Sequence, residues 1–304
     1  MGTEKYPIIE ISPEWVLDRE AMGSKKKFWY RKHKDAEPWL FKYPQENKHT
    51  RELAGQHWAE KIAEQAAVLM ETHHAAVELA VFDGNRGSAT KSFAHERRML
   101  FHGNQLMAGA IPGYNVQAKF GHSSHTLENI FKTFDETLVE ESFVRRSKSF
   151  FSEYLVLDAL ISNTDRHHEN WGFLLKQTTD GRWMAAIAPS FDHASSLGRE
   201  LQDERRDQII REGRIGNYVS KGHGGIYWSP DEKKAPSPLE LVRRAAQAHP
   251  ELFRPALERL RRFDESALAR IIERVPDEWM SEPTRRFAHA LMCHNHQQLL
   301  RLLP

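Results

Sequence analysis

Short apolar runs separated by turn residues dominate the first third of the chain. They lie at residues 8–16, 28–31, 39–43, 75–82 and 88–93. Runs of this length that end at Gly, Pro, Asn or Asp are typical of strands, and the turn-rich segment Asp83 to Gly87 predicts a hairpin between the last two. Between the third and fourth runs, apolar residues recur at helical spacing over residues 51–70. The pattern therefore predicts an antiparallel sheet with one helix.

From residue 126 onward the apolar positions recur at helical spacing. The segment at 149–161 is apolar around most of its circumference, so we expect it to be a buried central helix. A glycine-containing stretch at 213–230 predicts a mobile loop on the substrate side. Four more helices are predicted after it, at residues 238–249, 251–262, 266–275 and 283–303. The whole pattern indicates an α+β chain whose second part is mainly helical.

Composition narrows the class of protein. A formal net charge of +1 gives the 304-residue chain no global field that attracts nucleic acid. The single cysteine, Cys293, excludes an internal disulfide and a zinc site of several cysteines, and it fits a reducing compartment. The N-terminus does not resemble a signal peptide, and no apolar run reaches the roughly 18 residues that span a bilayer. We expect a soluble, cytoplasmic protein with no membrane partner and no direct nucleic-acid binding.

One segment near the middle of the chain concentrates candidate chemistry. Asp165 and Asn170 stand five positions apart, and Asp192 follows Asp165 by 27 positions, beyond a hairpin predicted around Asp180-Gly181. Phosphoryl transfer needs a carboxylate that accepts the proton of the attacking hydroxyl, and oxygen ligands that hold magnesium on the phosphates. The order and types of these residues match the catalytic loop and metal-binding aspartate of a protein kinase.

The motif Asp-Arg-His-x-x-Asn, followed by Ser-Phe-Asp, resembles the HipA-like kinases and, more distantly, the phosphatidylinositol-kinase-like kinases. The resemblance implies a bilobal protein-kinase-like fold of α+β class, with an antiparallel sheet and helix in the N-lobe and a mainly helical C-lobe. It also implies an ATP-dependent serine/threonine protein kinase in which Asp165 is the catalytic base and Asn170 and Asp192 hold Mg²⁺. We place the N-lobe at residues 1–105 and the C-lobe at residues 106–304.

A basic segment near the N-terminus extends the resemblance to the ATP site. GSKKKFWYR followed by WLFKYP looks like the phosphate loop and the ATP-anchoring lysine of HipA-like kinases. The backbone at Gly23 and Ser24 is then predicted to approach the phosphates, and Lys42 to reach them as a point charge. Only one glycine is present, so the loop is also compatible with an ordinary charged turn, and Lys42 with a lysine at a strand edge.

The predicted helix after Lys42 occupies the position of the kinase helix whose glutamate pairs with that lysine. Glu60 is our choice, with Glu64 and Gln56 one turn to either side and Glu52 a weaker alternative. Glutamates of such a helix also commonly form solvated pairs with neighbouring lysines. The sequence does not fix the phase of the helix relative to the sheet.

Other properties of HipA-like relatives are carried over as expectations. Phe101, His102 and Gly103 are expected to form the adenine-binding hinge. HipA proteins proper have an additional N-terminal subdomain before the phosphate loop, and the short distance from residue 1 to Gly23 predicts a compact, stand-alone member. The resemblance further implies a possible toxin that a small DNA-binding antitoxin neutralises, with autophosphorylation at Ser24.

Three other functions stay open. His167, His168 and Glu169 could ligate zinc, although adjacent histidines point in different directions and no His-Glu-x-x-His pattern is present. A lipid or small-molecule kinase would share the motif, but no basic, apolar membrane-facing run is evident. An ATP-binding pseudokinase scaffold would keep the fold, and the retention of Lys42 together with the motif residues argues against it.

A highly charged stretch follows the motif. Its basic residues could attract an acidic partner, but interleaved acidic residues favour an ordinary solvated face. The basic residues in question are Arg205, Arg206, Arg211, Arg214 and Lys221.

Overall fold

The computed structural model describes residues 4–18, 26–45, 54–94, 98–178 and 180–304. The predicted phosphate-loop residues Gly23 and Ser24, and the alternative Glu52, lie outside the described residues. Over the described ranges the chain forms a two-lobed α+β fold, in which a curled sheet with one helix precedes a mainly helical lobe. The fold class predicted from the sequence is confirmed.

Six strands form the N-terminal sheet of the described residues: β1 (Ile8–Glu10), β2 (Val16–Asp18), β3 (Lys27–Tyr30), β4 (Trp39–Lys42), β5 (Val77–Phe82) and β6 (Asn85–Lys91). Their order in the sheet is β1-β5-β6-β4-β3-β2. Neighbouring strands pair antiparallel, as predicted, except that β1 adds to β5 in parallel at one edge. The rings of Phe28, Phe41 and Phe82 pack together on one face of this sheet, so a small aromatic core fixes the position of β4.

The β5–β6 hairpin turns more tightly than the sequence predicted. Only Asp83 and Gly84 form the connection, both with positive φ angles of 50° and 71°, which suits a two-residue hairpin turn. Gly87 lies inside β6 at a position that only glycine fits, because a Cβ there would come within 2.6 Å of the carbonyl oxygen of Lys42. This close approach of the two backbones holds the Lys42 end of β4 in its place.

Helix α1 (Gln56–Leu69) covers the described part of the helix predicted at residues 51–70. Its apolar residues Trp58, Ile62 and Ala66 are buried, as the helical spacing predicted. The helix packs on β5 and β6 and also contacts the C-terminal helices. Polar residues of α1 are therefore buried too, and each of them needs a partner.

A second, three-stranded sheet joins the two lobes. Its strands are β7 (Arg98–His102), β8 (Gly172–Gln177) and β9 (Trp183–Ile187), all antiparallel. The β8–β9 hairpin confirms the hairpin predicted between Asn170 and Asp192. The segment expected to form the hinge is an edge strand of this sheet, where Phe101 pairs with Phe173.

The described residues contain nine further α-helices: α2 (Gly103–Ala110), α3 (Leu127–Thr137), α4 (Glu141–Ile161), α5 (Asp203–Arg211), α6 (Ile215–Lys221), α7 (Pro238–Ala248), α8 (Pro250–Arg259), α9 (Glu265–Glu273) and α10 (Glu282–Leu300). The predicted buried helix is the C-terminal half of α4, which packs against α3, α7, α8 and α10. Helix α6 lies where a mobile loop was predicted, and Tyr218 anchors it by packing on Phe287 at 5.2 Å between ring centres. None of the helices in the described part of the chain is long and apolar enough to cross a membrane.

Candidate active site

A cleft of about 1630 Å³ opens between the N-terminal sheet and the helical lobe. Strands β3 and β4 form one side, the loops that flank the β8–β9 hairpin form the floor, and α5 and α6 form the far side. Five of the predicted site residues line it: Lys42, His102, Asp165, Asn170 and Asp192. Residues that are distant in the chain therefore meet in one place large enough for a nucleotide and part of a second substrate.

Lys42 stands at the end of β4 and forms an ion pair with Asp192 across the cleft. The distance between its Nζ and Asp192 Oδ1 is 3.1 Å, although 150 positions separate the two residues in the chain. Burial lowers the pKa of Lys42, but the negative charges of Asp192 and Glu60 outweigh burial and raise it. Lys42 is therefore a fixed cation at neutral pH.

Glu60 is the residue of α1 that faces this ion pair. Its Oε1 accepts a hydrogen bond from the backbone N–H of His193 at 2.9 Å, and its Oε2 is buried without a hydrogen-bond partner among the described residues. Burial raises the pKa of Glu60, but the hydrogen bond from His193 and the charge of Lys42 together lower it. Glu60 is thus a buried carboxylate, and one of its oxygens has no hydrogen-bond partner among the described residues. The other oxygen is bonded to His193, the residue that follows the predicted metal ligand Asp192.

The two alternatives to Glu60 on α1 have other partners. Glu64 pairs with the buried Lys61 at 3.1 Å and accepts from the side chain of Gln65 at 2.8 Å. The side-chain amide of Gln56 hydrogen-bonds Gln45. The helical phase that the sequence left open is decided by the packing of α1 on the sheet.

Asp165 lies in the loop that follows α4. Its backbone N–H donates to Oδ1 of Asn163 at 3.2 Å, and the hydroxyl of Ser195 donates to its Oδ2 at 3.1 Å. The side chain keeps 24% of its surface exposed and lines the cleft. Its carboxylate is therefore oriented from one side and accessible to a hydroxyl group from the other.

The side chain of Asn170 folds back on the same loop. Its Nδ2 donates to the backbone oxygen of Asp165 at 2.6 Å, which fixes the orientation of the amide. Because the nitrogen is engaged, the side-chain oxygen is the atom left to act as a ligand.

Arg166 is the principal residue that the sequence analysis missed. Its guanidinium forms a two-point ion pair with the buried Asp158 of α4, with distances of 2.7 and 2.8 Å. It also donates to the backbone oxygens of Asn170 at 2.6 Å and Phe191 at 3.2 Å. One buried cation thus ties the helix, the Asp165 loop and the residue before Asp192 together. The lone aspartate in the apolar part of α4 was the sequence signal for such a partner.

The backbone at Asp192 adopts a conformation that non-glycine residues rarely use. Its φ angle is 57°, in the left-handed region, and this costs free energy that the surroundings must offset. The next residue, His193, is held by the Ser190 hydroxyl, 2.7 Å from its Nε2, and by the bond to Glu60 described above. Since Arg166 also donates to Ser190, one network connects Glu60 to the Asp165 loop and holds Asp192 in this conformation.

The donor atoms of this cleft suit magnesium. Magnesium is usually held by one or two carboxylates, with water and phosphate oxygens completing its shell. The carboxylate of Asp192 and the amide oxygen of Asn170 fit that chemistry. The described residues contain no group of three or more His, Cys, Asp or Glu side chains placed to hold a metal ion, so the zinc hypothesis gains no support.

The two histidines of the motif are engaged in the loop itself. The Nδ1 of His168 lies 2.9 Å from the hydroxyl of Tyr114, and the Nδ1 of His167 accepts from the backbone N–H of Glu169 at 3.1 Å. Burial lowers the pKa of His168 to about 4, so it is neutral at physiological pH. Their observed role is to pack and orient the loop.

The predicted hinge residues lie at the end of β7 and the start of α2. His102 lines the cleft together with Leu100, as expected for alternate residues of a strand. Gly103 begins α2 against the ring of Trp171, which leaves no room for a Cβ at this position. The side chains that reach the cleft after Gly103 are Asn104 and Gln105, which the sequence analysis did not single out.

We expect Glu60 to make the stability of the protein depend on pH in the acidic range. Its pKa is lowered below the ordinary value of 4.5, so its contribution is complete above that pH and is lost as the pH falls through the lower folded-state value. The substitution Glu60→Gln should therefore destabilise the protein at pH 6, and the difference from wild type should shrink towards pH 3. Urea unfolding at each pH measures this, with the exposed Glu136→Gln on α3 as control. A difference that does not change with pH would contradict the assignment.

Comparison with known proteins identifies the family. The family model of the HipA-like C-terminal domain matches residues 19–279. The chain belongs to this family. The match includes Lys42, Glu60, Asp165, Asn170 and Asp192, so the whole cleft described above lies inside the HipA-like domain. No curated protein matches the sequence.

Solved structures that share the fold of this HipA-like chain include CtkA and HipA. The proinflammatory kinase CtkA of Helicobacter pylori has a TM-score of 0.79 at 20% identity, over 97% of this chain and 96% of CtkA. HipA of Shewanella oneidensis MR-1, in a complex with HipB and operator DNA, has a TM-score of 0.53 at 14% identity, over 96% of this chain and 65% of HipA. At identities this low, the structural similarity establishes the fold alone, and the fold is that of the HipA-like kinases. Family and fold together support a phosphotransferase.

Proposed function

We propose that this chain is a HipA-like kinase that transfers the γ-phosphoryl group of ATP to a serine or threonine hydroxyl of a protein. The observation that supports this most directly is the placement of Lys42 3.1 Å from Asp192, in the cleft that Asp165 and Asn170 also line. A cation for the phosphates, two oxygen ligands for a metal and an accessible carboxylate are the parts that phosphoryl transfer requires.

Asp165 is the residue that we assign to the acceptor hydroxyl. Its Oδ2 accepts a hydrogen bond from the Ser195 hydroxyl at 3.1 Å, and this supports a carboxylate that receives hydroxyl donors. An acceptor hydroxyl that donates to the same carboxylate is oriented for attack on the γ-phosphorus. Asp165 takes its proton as the new oxygen–phosphorus bond forms, while the bond from the γ-phosphorus to the β,γ-bridging oxygen breaks and ADP leaves.

Lys42, Glu60 and the metal ligands act on the phosphates. Lys42 exchanges Asp192 for phosphate oxygens, and the Glu60 carboxylate nearby keeps its ammonium group charged and directed into the cleft. Asn170 and Asp192 would hold Mg²⁺, which neutralises the charge of the phosphates when it is bound. Gly23 and Ser24 are proposed to cradle the phosphates with backbone amides.

An apolar part of the cleft suits the adenine ring. Leu40 of β4 and Leu100 of β7 line it from the two sheets, and Phe191 packs there against Phe93 at 5.2 Å between ring centres. We assign this part, together with the backbone around Phe101, His102 and Gly103, to the base of ATP. Flat apolar surfaces with few polar groups are typical of such subsites.

The proposal is tested with purified protein, γ-labelled ATP and magnesium. We expect label in a protein acceptor with wild type, and an Asp192→Asn variant that transfers at least about 100-fold more slowly and needs more magnesium, because the metal loses its charged ligand. Asparagine tolerates a positive φ, so this substitution keeps the backbone conformation of Asp192. Wild-type protein that binds ATP but never transfers label would favour the pseudokinase scaffold, and transfer to lipid alone would favour a lipid kinase.

A role as the toxin of a toxin–antitoxin pair is the biological part of the proposal. The HipA structure named above is a complex with HipB and DNA, which is consistent with a small DNA-binding antitoxin for this chain as well. Autophosphorylation at Ser24 would be one means of self-limitation. Peptide mapping after incubation with ATP tests it, and an unmodified region between Gly23 and Lys42 would exclude it.

A further inference from the structure

The charge of the cleft differs from that of the whole chain. Ten of its lining residues are Lys or Arg and four are Asp or Glu, an excess of six positive charges, whereas the chain as a whole has an excess of one. Some of these cations, such as Lys42, serve the proposed phosphate site. The larger group lies on residues that follow Asp165 and Asp192 in the chain: Arg199, Arg205, Arg214, Lys221, Lys233 and Lys234.

The structure separates the basic residues of the charged stretch into two kinds. Arg206 is buried, where it pairs with Asp203 at 2.8 Å and donates to the backbone oxygen of Gly198 at 3.0 Å. Arg211 is exposed on α5, outside the cleft. Arg205 and Arg214, by contrast, both line the cleft. Only part of the stretch is therefore a solvated face of the kind the sequence favoured.

Three lysines from two separate segments meet on one wall of the cleft. The segment after α6 is tied to the segment before α7 by two hydrogen bonds, from Gly224 N–H to the Pro236 oxygen at 2.9 Å and between His223 Nδ1 and the Ala235 oxygen at 3.0 Å. This pairing brings Lys221 to the same wall as Lys233 and Lys234.

The wall that carries Lys221, Lys233 and Lys234, here called the lysine wall, packs directly against the loop that contains Asp165. Gly225 packs so closely that a Cβ there would lie 2.7 Å from the backbone of Arg166 and 2.9 Å from that of His167. A Cβ on Gly222 would lie 3.3 Å from the side chain of Thr164, the residue before Asp165. A substrate segment whose hydroxyl reaches Asp165 would therefore lie beside this wall.

Two carboxylates in this part of the chain are engaged with other partners. Glu232, adjacent to Lys233, pairs with Arg244 at 2.7 Å and accepts from the backbone of Trp228. Glu200 accepts from the hydroxyl of Tyr218 at 2.7 Å. In the described ranges, Lys221, Lys233 and Lys234 have no carboxylate within ion-pairing distance, so the wall presents uncompensated charge to the cleft.

We propose that the acceptor of this kinase is an acidic segment, in which Asp, Glu or phosphorylated residues flank the hydroxyl that Asp165 receives. The inference rests on the proposed function and names the class of its substrate. A row of uncompensated cations beside the base attracts such a segment and orients it, while a basic segment would be repelled. A protein segment is favoured over a polynucleotide because the cations form one wall of a cleft that ends at a hydroxyl-binding carboxylate.

The test uses a peptide library with a fixed central serine or threonine and randomised flanking positions, incubated with wild-type protein, ATP and magnesium. We expect Asp and Glu to be enriched in the phosphorylated peptides. A matched pair of synthetic peptides, with glutamate or glutamine around the same serine, should differ about tenfold in kcat/KM, since several exposed ion pairs each contribute a few-fold. This preference should weaken at 1 M salt, where the Debye length falls to about 3 Å.

Matched variants locate the effect in the lysine wall. The triple variant Lys221→Gln, Lys233→Gln, Lys234→Gln should lose most of the preference for the glutamate peptide, measured as the ratio of kcat/KM for the two peptides. The variant Arg205→Gln should lose part of it, and Arg211→Gln on the same helix none. Lys132→Gln on α3, exposed and outside the cleft, is the second control.

The outcomes separate this inference from the proposed function. Enrichment of basic or neutral residues would overturn the acidic acceptor, and so would a preference that survives in the triple variant. Phosphorylation of no peptide, together with Asp165-dependent autophosphorylation or ATP hydrolysis, would also overturn it and leave the kinase assignment intact. Competition by an RNA oligonucleotide but not by a glutamate-rich peptide would assign the wall to a polynucleotide. Absence of any Asp165-dependent turnover of ATP would remove the proposed function itself.

Discussion

Asp165→Asn is expected to slow phosphoryl transfer by about 10²- to 10⁴-fold, the range that a positioned proton acceptor contributes. Asparagine keeps the size of the side chain and its hydrogen bond to Ser195, but it cannot accept the proton of the acceptor hydroxyl. Because the side chain is 24% exposed and not part of the buried network, the free energy of unfolding should hardly change. Label transfer from γ-labelled ATP measures the rate, and urea unfolding measures the stability.

The matched control for this substitution is Asp135→Asn on α3, an exposed aspartate that pairs with Lys148 at 2.7 Å and does not line the cleft. It removes the same charge and should leave the rate unchanged. ATP binding should also be retained in Asp165→Asn, since Lys42 and the proposed metal ligands are intact. A variant that transfers phosphate at the wild-type rate would show that Asp165 is not the proton acceptor.

Asp158→Asn is expected to destabilise the protein by about 3–5 kcal/mol, because it leaves the buried guanidinium of Arg166 without its counter-charge. The side chains of Asp158 and Arg166 are each 3% exposed, so solvent cannot screen the loss. Since Arg166 also holds the backbone at Asn170 and Phe191, we expect activity to fall together with stability. The midpoint of urea unfolding at neutral pH gives the change.

The ion pair between Arg182 and Asp180 is the comparison for this effect. Its partners lie 2.8 Å apart, but their side chains are 83% and 52% exposed, in the turn of the β8–β9 hairpin. Removing this pair with Arg182→Ala should cost less than about 1 kcal/mol. A shift of the unfolding midpoint by Asp158→Asn no larger than that by Arg182→Ala would contradict this prediction. The buried pair could then not be what holds the Asp165 loop to the segment before Asp192.

The sequence predicted the elements whose signals are local. Helical spacing placed α4 and the C-terminal helices, and the turn at Asp180-Gly181 placed the β8–β9 hairpin. Asp165, Asn170 and Asp192 could be predicted as one candidate site for the same reason, because only five positions and one hairpin separate them in the chain. The assignment of those residues to catalysis and metal binding stays a prediction, with the experiments above as its test.

Local sequence patterns did not predict the contacts between residues that are distant in the chain. The partner of Arg166 is on α4, and the parallel pairing of β1 with β5 joins segments that no turn connects. Helix α6 was predicted to be a loop because Gly216 lies within it and Gly213, Gly222, Gly224 and Gly225 flank it, whereas the packing of Tyr218 on Phe287 stabilises the helix.

The sequence by itself determined the two-lobed α+β class, most of the helices and strands, and the residues that carry the candidate chemistry. The tertiary structure alone decided that Glu60 rather than Glu64 faces Lys42, and that Arg205 rather than Arg206 lines the cleft. Hydrophobic periodicity predicts which residues of a helix share a face. The element against which that face packs depends on how the whole core is buried, which the periodicity does not specify. Charged residues one position apart can therefore have different roles, and only the packed structure distinguishes them.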